Sequence, residues 1–227
     1  MSELFSIQLQ NRQQQGGDGV WLDLPTTTEQ VQVALRQIGI SSDNPQGLFI
    51  SGYFAEEEKR FAIPYNMVLA SNVDELNFLA SRLETLSAGE RAELNAALQA
   101  PQSELFSIGR ITDFPENVDY YVHLPDVHGP AQLGDYYLNR SGMVNMPEEW
   151  KGGIDTAQFG RYVAQQEQGA FTQYGYLVKS GDEWQKVHEG QPVPEEYRVL
   201  SFPAPEVMRD AANIPPPVQP ETELQNC

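Results

Sequence analysis

The chain has almost no cysteine, and that absence excludes several classes of protein. Cys227 is the only one in 227 residues, so neither an intramolecular disulfide framework nor a thiolate metal cluster can form. No stretch approaches the roughly 20 apolar residues that cross a bilayer, and Met1–Gln15 lacks a basic patch followed by an apolar run. We therefore expect a soluble protein of the reducing cytoplasm, without membrane contact.

Basic residues are scarce as well. Only 14 Lys and Arg stand against 32 Asp and Glu, which gives a formal net charge of -18 and a pI near 4.4. A surface this negative repels nucleic acid and anionic membranes, so we expect no direct binding to nucleic acid. A partner chosen by electrostatics is instead basic, or is itself a binder of polyanions. The net negative charge is largest in residues 101–150, which hold eight acids and only two bases.

Recognised catalytic motifs are missing. The sequence has no nucleophile elbow, phosphate loop, dinucleotide fingerprint or zinc-protease helix. This absence by itself does not exclude an enzyme. One alternative is a hydrolase or metal-binding enzyme built on His123 and His128 with nearby Asp119 and Asp126. Their spacing matches no known zinc pattern, which favours polar loop residues. Another alternative is an acidic adaptor that binds a partner through a Pro-rich tail.

Hydrophobic periods predict a ββαβ unit at the N-terminus. Apolar and polar residues alternate over Leu4–Gln10, which is typical of a half-buried strand, and Val20–Leu24 is a second candidate strand. Thr26 with Glu29 three residues later resembles a capping box and opens a helix. Leu48–Phe54 is the predicted returning strand.

Over residues 71–100 the apolar residues recur every three or four positions, which predicts a helical hairpin. Ser71 or Asn72 caps the first helix, and Ser87 with Glu90 opens the second. Pro101 ends the second helix. A leucine stripe at this spacing is typical of a buried core rather than of a partner groove.

The C-terminal half contains both the helical spacing of three and four and the alternation that is typical of strands. Gln132–Asn139 and Thr156–Gln168 are predicted to be helices, and Gly181-Asp182 is a predicted hairpin turn. The predicted strands are Ala170–Lys179, Glu183–Glu189 and Tyr197–Phe202.

These elements predict an α+β fold, followed by a flexible tail because of Pro215-Pro216-Pro217. The predicted units are an N-terminal α+β module, a central helical hairpin, a C-terminal α+β module and the tail, at residues 1–62, 63–102, 103–202 and 203–227.

Short segments along the chain occur in a particular order. They are Val20-Trp21-Leu22-Asp23-Leu24-Pro25, Asp74-Glu75-Leu76-Asn77, Leu133-Gly134-Asp135-Tyr136-Tyr137, Ile154-Asp155 before Phe159-Gly160-Arg161, and Gly169-Ala170-Phe171-Thr172 before Gly175-Tyr176. Over roughly residues 4 to 178, this order resembles the ArdA-type antirestriction proteins, DNA mimics that conjugative plasmids and transposons carry.

The resemblance implies an elongated α+β protein of three small domains that forms a homodimer. It also implies that acids imitate the phosphates of duplex DNA and occupy the DNA-binding groove of type I restriction-modification enzymes. On this reading we predict no catalytic residues, no metal, no cofactor and no enzyme activity. We place this role on the segment from Glu104 to Asp155, called the acidic segment below, and on nine of its residues: Glu104, Asp113, Glu116, Asp119, Asp126, Asp135, Glu148, Glu149 and Asp155.

The charge count is compatible with such mimicry. Duplex DNA carries one charge per ~1.7 Å of axis, so the net charge of -18 corresponds to roughly 31 Å of duplex. A compact chain of this length is about 45 Å across. Spread over a sphere, the charge is too dilute, so mimicry requires an elongated shape or acids gathered on one face.

Overall fold

The computed structural model describes residues 4–14, 16–56 and 61–203. The fold is mixed α+β, as predicted, with two three-stranded antiparallel sheets and several helices. No helix in the described ranges has the length and apolar character that crossing a membrane requires. The predicted tail, Pro203 apart, lies outside the described residues.

Three strands near the N-terminus form one sheet and three strands in the C-terminal half form the other, with helices between and within these two groups. The strands are β1 (Phe5–Asn11), β2 (Val20–Leu24), β3 (Leu48–Phe54), β4 (Tyr121–Leu124), β5 (Ala170–Thr172) and β6 (Gly175–Lys179). The α-helices are α1 (Thr28–Gln37), α2 (Tyr65–Leu69), α3 (Val73–Glu84), α4 (Ala88–Gln99), α5 (Ile108–Thr112), α6 (Pro130–Asp135), α7 (Glu148–Lys151) and α8 (Thr156–Glu167).

The N-terminal sheet confirms the predicted ββαβ unit. Its order is β2-β1-β3, and Ile7 of the central strand lies opposite Leu22 on one side and Tyr53 on the other. Phe5, Ile7 and Leu9 are buried, as their alternation predicts. The sheet therefore has one apolar face, on the side of the core.

The cap of α1 is one residue later than predicted. Thr27, not Thr26, is the N-cap, and it forms a capping box with Gln30. Thr26 is buried, and its N–H donates to the side-chain oxygen of Asn77 at 2.7 Å. A contact with α3 therefore fixes Thr26, which leaves its neighbour to cap the helix.

The central helical hairpin agrees with the prediction. Asn72 caps α3 in a box with Glu75, and Ser87 caps α4 in a box with Glu90. Helix α4 ends two residues before Pro101. The leucine stripe of α3 is buried in the core, as expected from its spacing: Leu76, Leu79 and Leu83.

The C-terminal sheet has the order β4-β6-β5, and it corrects one prediction. Ala170–Lys179 is not a single strand but the hairpin of β5 and β6. Gly175 begins β6 with φ +118°, and a Cβ atom there would overlap the carbonyl oxygen of Leu124. Glycine allows this backbone conformation and this close approach to the end of β4, a strand the sequence patterns did not reveal.

The predicted strand Glu183–Glu189 is wrong, and the hairpin turn before it joins no strands. The backbone of this segment bonds to side chains instead of to a neighbouring strand. Asn117 accepts the N–H of Gln185 at 2.7 Å and donates to its carbonyl at 3.0 Å. Further along, the carboxylate of Asp113 accepts three consecutive N–H groups.

Tyr197–Phe202 is not a strand either. One carboxylate oxygen of Asp74 accepts the N–H groups of Val199 and Leu200, each at 2.7 Å. These N–H groups are therefore satisfied by a side chain at the start of α3, and the segment needs no strand partner.

Two glycines set the contact between α6 and α8. The predicted helix Gln132–Asn139 is found as α6 and a π-helix over Tyr136–Arg140, and α8 matches the other predicted helix. A Cβ atom on Gly134 would overlap a backbone carbonyl of α8, and one on Gly160 would overlap a carbonyl of α6. The two backbones can approach this closely because neither residue has a side chain.

One hydrophobic core connects most of the chain. Its buried residues run from Leu4 in the N-terminal unit, through α3 and α4, to Val199. A smaller cluster around Leu133 and Tyr176 lies under α6, α8 and the second sheet. The three-domain division and the elongated shape stay predictions.

Candidate functional surface

The nine predicted contact acids differ in their access to solvent. Glu104, Glu116 and Asp135 are partly buried, and Asp113 is fully buried. The remaining five are exposed: Asp119, Asp126, Glu148, Glu149 and Asp155.

Asp113 is a structural residue and presents no carboxylate to a partner. It ends α5 with 0% of its surface exposed. Its two oxygens accept the N–H of Val187 at 3.2 Å, of His188 at 2.6 Å and of Glu189 at 3.2 Å. Since burial of a carboxylate is costly unless hydrogen bonds compensate, this network fixes both the acid and the loop.

Glu104 belongs to an ion-pair network rather than to a free acidic surface. It contacts Arg110 at 2.9 Å and Lys179 at 2.7 Å. The hydrogen bond from Lys179, with the positive charge of Arg110, keeps the pKa of Glu104 below its usual value. Arg110 is itself buried, pairs with Glu189 at 3.1 Å and lies 4.5 Å from the ring centre of Phe106.

Glu116 and Asp135 are also paired. Glu116 bonds to Arg82 of α3, and Asp135 lies 3.2 Å from Arg140 within the adjoining helical segment. Part of the negative charge in the acidic segment is therefore neutralised inside the molecule.

The five exposed acids differ in whether they have a partner within the protein. Asp155 caps α8 by accepting two N–H groups on a single oxygen, at 2.9 and 3.0 Å, and Glu148 pairs with Lys151 at 2.7 Å. Asp119, Asp126 and Glu149 form no ion pair with another described residue. These three carboxylates are open to cations of a partner.

Further exposed acids lie outside the predicted set. They are Asp18, Asp23, Glu29, Asp43, Glu56, Asp182, Glu183, Glu195 and Glu196. Asp23 lies in β2, Glu29 lies in the first turn of α1, Glu195 and Glu196 begin a 3-10 helix, and the others lie in turns and loops. The local net charge did not single out these residues, because they are spread along the chain.

The structure does not build a metal centre from His123 and His128. His123 lies on β4 with Nε2 2.7 Å from the carbonyl oxygen of Tyr174, and His128 is exposed. Within residues 4–14, 16–56 and 61–203, the only cluster of three metal-ligating side chains is Asp113, Glu116 and His188. Its carboxylates already bond to backbone N–H groups and to an arginine.

The motif Asp74-Glu75-Leu76-Asn77 joins distant segments. Asn77 accepts the N–H of Thr26 and donates to the carbonyl of Tyr197 at 3.0 Å. Glu75 completes the capping box of α3, and Leu76 is buried in the core. This motif therefore has a structural role in holding the N-terminal sheet, α3 and the C-terminal segment together.

Comparison with known families identifies the family of this chain. The model of the antirestriction protein (ArdA) family matches residues 17–178. The search of curated proteins found no match.

Proposed function

We propose, from the premise that this chain belongs to the ArdA family of antirestriction proteins, that it occupies the DNA-binding groove of type I restriction-modification enzymes in place of duplex DNA. Membership of the family implies an antirestriction function. DNA mimicry, the type I target, the homodimeric state and action in the cytoplasm are the finer parts of the proposal.

The excess of exposed carboxylates supports this mechanism most directly. Exposed acids occur on the loops of both halves of the described chain, and they outnumber the exposed bases. Those bases are Arg12, Arg36, Arg140, Arg161, Lys179, Lys186 and Arg198. The surface thus offers separated negative charges to a groove whose own cations bind phosphates.

Inhibition then requires competition and no chemical step. Lys and Arg side chains that contact DNA phosphates meet carboxylates of the inhibitor, and the groove is no longer free for DNA. No bond forms or breaks, so the protein needs neither a catalytic residue nor a cofactor. The buried and paired acids, with Asp113 as the clearest case, hold the framework that positions the exposed ones.

Asp155 both stabilises the fold and presents a carboxylate oxygen at the surface. Its Oδ1 accepts the N–H groups of Ala157 and Gln158, which fixes the side chain at the start of α8. Its Oδ2 accepts no hydrogen bond from another described residue, and the side chain is exposed. A carboxylate held in this way pays less conformational entropy on binding than one on a mobile side chain.

Displacement of DNA tests the proposal directly. A fluorescent duplex bound to a purified type I enzyme is titrated with the protein, and anisotropy reports the released DNA. We expect complete displacement, with an inhibitor affinity that falls as salt rises because surface charges are screened over roughly 8 to 10 Å. The affinity of the enzyme for DNA is measured at each salt concentration as the control. A ternary complex, or an inhibitor affinity independent of salt, contradicts the proposal.

A further inference from the structure

The N-terminal sheet has one covered edge and one open edge. At the β3 edge, α2 packs alongside and the hydroxyl of Tyr65 donates to the carbonyl of Ser51 at 3.0 Å. Strand β2, at the other edge, pairs only with β1 among the described strands. An edge strand of this kind exposes backbone N–H and C=O groups to any extended chain that approaches it.

Strand β2 has few of the features that protect natural edges, and its one charged residue is Asp23. Val20–Leu24 contains no Pro and no Lys, and the sheet's one irregularity in register lies between β1 and β3, at Gln8 and Leu9. Proteins commonly block an edge with such residues or with a bulge. The open edge of β2 is therefore a ready template for another strand.

A groove runs along this open edge. It has a volume of about 360 Å³ and lies between β2 and α1. Leu22 and Ala34 are buried among its lining residues, while Val33 of α1 is 51% exposed. An extended chain paired with β2 can place alternate apolar side chains against these residues, since side chains along a strand alternate between two faces.

The charge of the lining selects the occupant. Asp23 and Glu29 are both exposed and are the only ionisable residues in the lining, which has no Lys or Arg. Electrostatic complementarity therefore favours a basic chain and disfavours an acidic one, a second copy of this protein included.

We propose that the groove between β2 and α1 binds an extended basic segment of a partner protein by addition of a strand to β2. The backbone of the segment supplies the hydrogen bonds, its apolar side chains contact Val33 and Leu22, and its cations lie near Asp23 and Glu29. The inference does not depend on DNA mimicry, and its test uses no restriction enzyme.

The probe is a synthetic peptide, acetyl-Lys-Val-Arg-Val-Lys-Val-Arg-amide, titrated into the full chain labelled with ¹⁵N. We expect amide shifts confined to residues 20–24 and 28–37. The matched peptide carries N-methyl groups on alternate residues, so that it keeps every charge but cannot pair as a strand. Along a strand, alternate N–H groups point in opposite directions, so methyl groups on one set would face away from β2 and leave the pairing intact. Two peptides are therefore made, one methylated on the odd residues and the other on the even residues. We expect one of them to weaken binding at least tenfold.

Protein variants separate the groove from general attraction to a negative surface. Val33→Arg places bulk and positive charge in the groove, and we expect at least tenfold weaker binding. Val122→Arg, at an exposed position on the other sheet, is the matched control and keeps the affinity. The dispersion of the amide spectrum verifies that each variant is folded.

A second pair of variants tests the charges. Asp23→Asn with Glu29→Gln should weaken binding several-fold, whereas Asp18→Asn with Asp43→Asn, which removes the same charge elsewhere, should have a smaller effect. The proposal is overturned if both N-methylated peptides bind like the parent peptide, if the shifts map outside the groove, or if Val33→Arg and Val122→Arg bind equally well.

Discussion

The carboxylate of Asp113 accepts the backbone N–H of His188 at 2.6 Å, across 75 residues of sequence. This bond and its two neighbours hold the loop after Lys186 against the end of α5. They also explain why an acid in the most acidic part of the chain is buried and does not contribute to the charged surface.

Asp113→Asn should destabilise the fold strongly. The substitution replaces one acceptor oxygen by an NH₂ group that faces backbone N–H donors, and it removes the charge that strengthens these hydrogen bonds. Hydrogen bonds to a charged group contribute about 1.5–3 kcal/mol each, so we expect the free energy of unfolding to fall by about 3 kcal/mol. Urea denaturation followed by circular dichroism measures the change. Asp119→Asn, at an exposed position, should stay within about 0.5 kcal/mol of the parent.

Gly134→Ala should destabilise the contact between α6 and α8. The added methyl group overlaps the carbonyl oxygen of Thr156, so the helices must separate, and we expect a loss of about 3 kcal/mol or more. Gly89→Ala is the control, because it lies in α4 and the added carbon has no atom within 4 Å apart from its chain neighbours and the backbone of its own helix. There the substitution should stabilise the protein by about 0.5–1 kcal/mol. Thermal unfolding of both variants decides the matter, and equal melting temperatures would refute the close packing.

Glu93→Gln should stabilise the protein at alkaline pH. Burial of the carboxyl, with repulsion from Glu90 and Asp119, raises the pKa of Glu93 from 4.5 to about 8. Between these values the folded protein keeps a proton that the unfolded chain releases, so Glu93 lowers stability as pH rises from 4.5 to 8. The variant lacks this titration.

The gain from Glu93→Gln should therefore be near zero below pH 4.5 and reach its full size above pH 8. Because Glu93 is only partly buried, solvent screening reduces the gain to about 2 kcal/mol. Urea denaturation at pH 4, 6 and 9 measures it, with Glu149→Gln, which is exposed, as the control. A gain of the same size at every pH would show that charge burial is not its cause.

Neutralising exposed acids in a block should weaken inhibition without unfolding the protein. Single changes at Asp119, Asp126 or Glu149 should each have an effect of about 0.5 kcal/mol, because exposed charges contribute little individually. The triple variant with Asn, Asn and Gln should be about tenfold weaker in displacing DNA.

The comparison for this block is Asp18→Asn, Glu29→Gln and Asp43→Asn, which remove the same charge from the N-terminal unit. We expect a smaller loss of inhibition from this variant, since the acidic segment carries more of the predicted contact. If a single acid abolished inhibition in a folded protein, a specific contact site rather than distributed mimicry would be indicated.

Local features of the fold were predictable from the sequence. Asn72, one of the two predicted caps, is the N-cap of α3, and Ser87 with Glu90 caps α4 as predicted, because a helix cap involves groups within a single turn. The alternation along β1 and the leucine stripe of α3 likewise depend only on the spacing of neighbours. Net charge, too, is a property of composition, and it predicted no direct binding to nucleic acid.

Tertiary structure alone decided which acids are available and which extended segments pair. Asp113, Glu104 and Asp119 have the same charge, but one is buried, one is paired and one is exposed. The segment Glu183–Glu189 was predicted to be a strand, yet three of its N–H groups bond to the distant side chain of Asp113. Sequence patterns report neighbours a few residues apart, whereas burial and pairing depend on groups that folding brings together, so only the folded chain could assign these roles.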